Sequence, residues 1–182
     1  FKDRISPVLD EPTYLIVIDN LRYDQYQVLR PMLRKYFHLD KEDMIYSILP
    51  TATQYARNSF FAGLLPSEIK KKHPEYWVEE DAEESKNNFE KELLQKQLNR
   101  LGKNISLGYK KITNLDAGKR LAENLNQLDH NQLNVIVYNF VDMLSHAKTD
   151  MKVIKELADD EAAYRSLTES WFEHSPLQDI LK

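Results

Sequence analysis

Two short, almost uninterrupted apolar runs limit what this chain can fold into. Tyr14-Leu15-Ile16-Val17-Ile18 leads straight into Asp19, and residues 133–140 end just before Asp142. Apolar runs of about 4–8 residues, rich in β-branched side chains, read as strands covered on both faces, as in a parallel sheet. Elsewhere the apolar spacing is three or four. Tyr26, Leu29, Leu33 and Tyr36 predict a helix with Pro31 inside it as a kink or break. Residues 55–62 predict a helix closed by Gly63, and residues 66–72 a further short one. Phe89, Leu93, Leu94, Gln97 and Leu101 mark a helix ending at Gly102, and Leu115, Gly118, Leu121, Ala122 and Leu125 mark another. Ile154, Leu157, Tyr164, Leu167 and Trp171 read as one face of a single long helix. Ser175-Pro176 opens a last helix, with Ser175 as N-cap and Pro176 at the first position. Residues 44–49 and 105–109 read as two more strands, Asp129-His130-Asn131 as a turn, and the charge run 79–84 as a solvated loop. Strands alternating with helices predict an α/β fold of three layers, a mainly parallel sheet flanked by helices.

At 182 residues the chain has the length of a single domain, 1–182, with a loop or insert at about 74–112. The absence of cysteine excludes disulfides, a cysteine nucleophile and thiolate metal sites. A net charge of −4 gives no electrostatic footprint for duplex nucleic acid, though it allows a nucleotide held by metals. No run approaches the ~20 apolar residues of a membrane helix. There is no glycine-rich phosphate loop, which argues against P-loop and dinucleotide folds. The chain starts at Phe1 rather than Met and stops in or just after a helix, so it reads as the N-terminal part of its domain.

Ligand sites in open α/β sheets gather beyond the carboxyl ends of the strands. Asp19 follows the first strand, Thr51 and Thr53 follow the second expected one, and Asp142 follows the last, with His146 four residues on. Asp19 and Thr53 could equally be helix caps. Asp142 and His146 share one helical turn, which suits either a common metal or a plain hydrogen-bonded pair. With Asp19 they form a donor set suited to zinc or manganese. Arg22 and Arg57 are candidates for holding a phosphate oxygen, the alternative being an ion pair such as Arg22 with Asp24.

These segments resemble a known family. Val17-Ile18-Asp19-Asn20-Leu21-Arg22-Tyr23-Asp24 resembles the opening of a PglZ domain, in the alkaline phosphatase superfamily. ILPTATQYARNSFFAGLLPSEI, residues 48–69, resembles its nucleophile segment, with Thr53 in the nucleophile's place. VYNFVDMLSHAKTD, residues 137–150, resembles the superfamily's Asp-x-x-x-His metal motif, matched by Asp142 and His146. DDEAAYRSLTESWFEHSPL, residues 159–177, is similar to PorX-type response regulators, which are linked to type IX secretion.

The resemblance implies an alkaline-phosphatase-like fold and a phosphodiesterase with two metal ions, usually zinc. One ion would take Asp19 and the Thr53 oxygen, the other Asp142 and His146. The remaining ligands, an Asp-His pair and a later His, are expected downstream of residues matching Lys182, so the fragment alone is expected to be an incomplete, inactive copy. It also implies a receiver domain, a phosphodiester substrate such as an oligonucleotide or cyclic nucleotide, and a cytoplasmic setting. An open sheet would favour a homodimer. The alternative is a non-catalytic signalling module that binds a sigma factor or a secretion-system regulator.

Overall fold

The computed structural model describes residues 1–79 and 86–182. The strands are β1 (Thr13–Ile18), β2 (Leu107–Ile112) and β3 (Leu133–Tyr138). The helices are α1 (Tyr23–Leu33), α2 (Thr53–Ala62), α3 (Pro66–Lys72), α4 (Glu90–Arg100), α5 (Leu115–Glu123), α6 (Phe140–Asp150), α7 (Lys152–Leu157), α8 (Glu161–His174) and α9 (Pro176–Leu181). The sheet order is β1-β3-β2. Its register is parallel. Thr13 N–H donates to Gln132 C=O at 2.8 Å and Asp19 N–H to Tyr138 C=O at 3.0 Å, an equal advance on both strands. Leu133 N–H to Ser106 C=O and Asn139 N–H to Ile112 C=O repeat the pattern on the other side of β3. The α/β class with a parallel sheet flanked by helices therefore holds.

The chain forms two compact units. The first holds Phe1–Thr13, Asp43–Gly108 and Asn131–Asn134, and the second Tyr14–Glu42, Tyr109–His130 and Val135–Lys182. In the second, Ile136 and Tyr138 of β3 join Ile112, Leu29, Met32, Leu121, Phe172, Leu177 and Ile180 in one buried cluster. Val135 and Val137, pointing the other way, are buried as well. β3 is thus covered on both faces, as its continuous apolar sequence predicts. Gly118 allows α5 to close on this core, since a Cβ there would lie 3.0 Å from the Tyr138 hydroxyl and 3.1 Å from Pro176. Helices α1 and α8 are joined by buried polar groups. Gln25 Nε2 donates to Thr168 Oγ1 at 2.7 Å, and Thr168 Oγ1 donates to Tyr164 C=O.

In the first unit α2 packs on α4, with Phe61, Leu93, Leu94 and Leu98 fully buried. Each such side chain stabilises by about 1.5–3 kcal/mol relative to exposure. The last carbonyls of α2, which lack partners within the helix, are met by α4. Gln97 Nε2 donates to Phe60 C=O at 3.1 Å and to Phe61 C=O at 2.8 Å, and Arg100 donates to Ala62 C=O. Gly63 ends α2 in the left-handed region, φ 61°, and a Cβ there would overlap Gln97 Oε1.

Several expectations change. Residues 44–49 form no strand: Met44, Ile45, Tyr46 and Leu49 are exposed in irregular chain, and among the described residues no strand pairs with them. β1 is an edge strand with partly buried residues, since only one of its sides meets another strand among the described residues. The strand expected at 105–109 begins two residues later and runs to Ile112. The long helix expected from Ile154 to Trp171 is two, because Asp160 caps α8 by accepting from Ala163 N–H at 2.7 Å. Ser175 does precede α9, but its hydroxyl donates to Phe172 C=O. Of the charge run 79–84, all but Glu79 lies outside the described residues.

Candidate functional site

The second unit brings two of the predicted chain ends together. β1 and β3 are hydrogen-bonded neighbours, so Asp19 at the end of one lies beside the start of α6 at the end of the other. Asn20 adopts φ 59° and turns the chain sharply after Asp19, a conformation asparagine tolerates better than most residues. On α6, Asp142 occupies the first turn and His146 the next, with Asp142 Oδ1 3.7 Å from His146 Nε2. That separation exceeds a hydrogen bond. Val141 and Leu144 bury the other face of α6, leaving Asp142 one-quarter and His146 three-quarters exposed. Phe140, two residues before Asp142, stacks on Trp171 at 4.2 Å between ring centroids with 4° between planes. The site's helix is therefore pinned to α8 by its first residue.

Arg22 stands at the N-cap of α1 and is ion-paired with Asp24 at 2.6 Å and with Glu161 of α8. Its hydrogen bonds to these carboxylates raise its pKa further above the usual arginine value. The same contact with Arg22, joined by Arg165 at 3.2 Å, holds Asp24 down to about 2. The ion-pair alternative for Arg22 is what the geometry contains.

Thr53 and Arg57 belong to the first unit. Thr53 is the first residue of α2 and is partly buried, while Ala52 holds the N-cap place. It follows irregular chain rather than a strand. Its carbonyl accepts from Asn87 Nδ2 at 3.1 Å. Arg57, one turn on, is 6% exposed and donates from Nε to Glu90, which is fully buried.

A family model described as the BREX system PglZ alkaline phosphatase-like domain matches residues 1–178. The chain belongs to the PglZ family. No curated protein matches it. Membership points to a phosphoesterase-type hydrolase, and alkaline-phosphatase-like proteins generally use metal ions. In this PglZ chain the carboxylate and imidazole of Asp142 and His146 suit two adjacent positions around one ion. Among the described residues no three His, Cys, Asp or Glu side chains gather as a metal-holding group. The donor chemistry fits, and the ligand set is partial. No helix among the described residues is long and apolar enough to cross a membrane.

Sequence reasoning missed two kinds of residue here. Glu90, the partner of Arg57, lies 33 positions away, and no periodic signal links them. A polar cleft of about 340 Å³ in the second unit is lined by Asn20, Arg22, Ser145, Lys148, Thr149, Lys155 and Tyr164. Ser145 and Thr149 follow Asp142 by three and seven, a helical spacing that could have flagged the shared face. The larger cavity of that unit, about 720 Å³, is apolar and lined by Ile16, Ile18, Leu29, Leu33 and neighbours, and it contains none of the predicted site residues.

Proposed function

We propose that this chain supplies the nucleophile and part of the metal site of a PglZ-type phosphodiesterase. One observation carries the reading: β1 and β3 are parallel neighbours, so Asp19 and the Asp142/His146 helix leave the same end of the sheet, where α/β folds bind ligands. Asp142 and His146 would hold one ion; the assignment of Asp19 and the Thr53 oxygen to the other rests on the family resemblance alone. Zinc bound there would favour ionisation of a hydroxyl and neutralise charge on phosphoryl oxygens. Thr53 Oγ, its proton released to solvent, attacks phosphorus; the new Oγ–P bond forms as the bond to the leaving oxygen breaks with its electron pair, and that oxygen takes a proton from water. Water then cleaves the phosphothreonine and restores Thr53. Thr53 opens α2, so the first N–H groups of that helix are donors for a phosphoryl oxygen. Arg57 is engaged by Glu90, and its share is to fix α2 on α4 one turn below Thr53.

The similarity of residues 159–177 to PorX-type response regulators supports a receiver domain in the natural protein, a cytoplasmic setting, and oligonucleotide or cyclic-nucleotide substrates. The second reading is a signalling module that binds a sigma factor or secretion regulator.

The natural full-length protein is to be assayed for zinc-dependent hydrolysis of bis(p-nitrophenyl) phosphate. Thr53→Val should lower kcat by about 10³-fold or more while the protein stays folded, since nucleophile and ligand go together. A folded, zinc-loaded wild type without activity sinks the hydrolytic reading and leaves the module reading; a fully active Thr53→Val keeps the hydrolase and sinks threonine as its nucleophile.

A further inference from the structure

The polar cleft beside α6 has a composition that the hydrolytic reading does not use. Two cations share the Tyr164 ring: Arg22 lies 5.3 Å and Lys148 4.6 Å from its centroid. Such contacts are individually favourable, by about 0.5–1 kcal/mol at exposed sites, but they gather like charges in one place. Arg22 is balanced by Asp24 and Glu161. Lys148 and Lys155 line the cleft with Ser145 and Asn20; the charge of Lys148 also acts on Glu161, but that one carboxylate is already ion-paired with Arg22, so it does not offset both lysines. The cleft therefore carries surplus positive charge next to hydroxyl and amide groups. It also adjoins the chemistry, because Asn20 follows Asp19 and Ser145 shares the α6 face of Asp142 and His146.

We propose that this cleft is a phosphate subsite, in which Lys148, Lys155 and Ser145 hold a non-reacting phosphate of a substrate that carries more than one. The role in substrate choice rests on the phosphodiesterase reading; the binding does not. On that basis the preferred substrate is a short oligonucleotide or a nucleotide with a second phosphate rather than an isolated diester. Two lysines meet a dianion as mobile point charges, and the serine hydroxyl adds a directed donor.

The test is binding without turnover. The dinucleotide pTpT is titrated into the ¹⁵N-labelled chain in EDTA at low salt, with thymidine as the uncharged control. Amide shifts should centre on Ser145, Lys148 and Thr149, and binding should weaken as salt is added. Lys148→Gln/Lys155→Gln should weaken binding at least tenfold, Lys148→Arg/Lys155→Arg should restore most of it, and Lys152→Gln on the same helix as Lys155 should change nothing. Lys155 is exposed and Lys148 partly buried, and a thermal melt confirms the fold of each variant. Wild type that does not bind pTpT up to millimolar concentration, binding equal in the glutamine double variant, or shifts elsewhere each overturn the subsite. Lysine-dependent binding in a protein that fails the hydrolysis assay removes the phosphodiesterase reading and keeps the subsite.

Discussion

Asp24 shows how much a single carboxylate can organise. It accepts from Arg22 on its own helix and from Arg165 on α8, while Arg22 reaches Glu161. Its ionisation in the folded chain falls to about 2 from an ordinary 3.8. A depressed carboxylate contributes stability above its unfolded pKa and loses it as pH falls through the folded one. Asp24→Asn should therefore lower Tm by about 2–4 °C at pH 7, given that these groups are partly exposed. The gap should shrink progressively from about pH 5, with a remnant still present at about pH 2, and close at about pH 1. Melts of both proteins across that range check it, and a gap that does not narrow between about pH 5 and about pH 2 would refute the assignment. The partner of Arg22 was legible because it lies two positions away. The partner of Arg57 was not, because only the docking of α4 brings Glu90 to it.

At the level of elements, apolar runs were good guides to strands that have neighbours and poor guides to those that do not. β3 is fully buried and reads that way. Residues 44–49 have the same kind of sequence, yet Met44, Ile45, Tyr46 and Leu49 remain exposed, since strand pairing is set by distant chain and not by the run itself. The break between α7 and α8 was written in the sequence as Asp160 before Glu161, an N-cap signal that a persistent apolar spacing concealed. The α2–α4 pair adds a prediction of its own. Removing one member of a buried ion pair leaves the other charge without compensation, at a cost of about 3–5 kcal/mol. Glu90→Gln should thus destabilise far more than Arg57→Met/Glu90→Leu, in which both charges go. Urea unfolding of the three proteins decides it, and equal losses would mean the pair is not the anchor of α2.

For the whole molecule the sheet order matters most. It was not legible in the sequence, which supplied strands without their neighbours, yet it is what places Asp19 beside α6. Among the described residues it also leaves β1 at an edge, and Ile16 and Ile18 of that strand line an apolar cavity. Unpaired edges of this kind favour strand addition. The chain should therefore self-associate, with a light-scattering mass that rises above 21.5 kDa as concentration increases, and Ile16→Lys should suppress the rise. A constant monomer mass across the range would count against it. The two compact units carry a different consequence. Each is assembled from three separate stretches, and each strand of the sheet begins in one unit and ends in the other. No single cut releases either unit whole, so neither can be inherited, excised or exchanged as a continuous cassette.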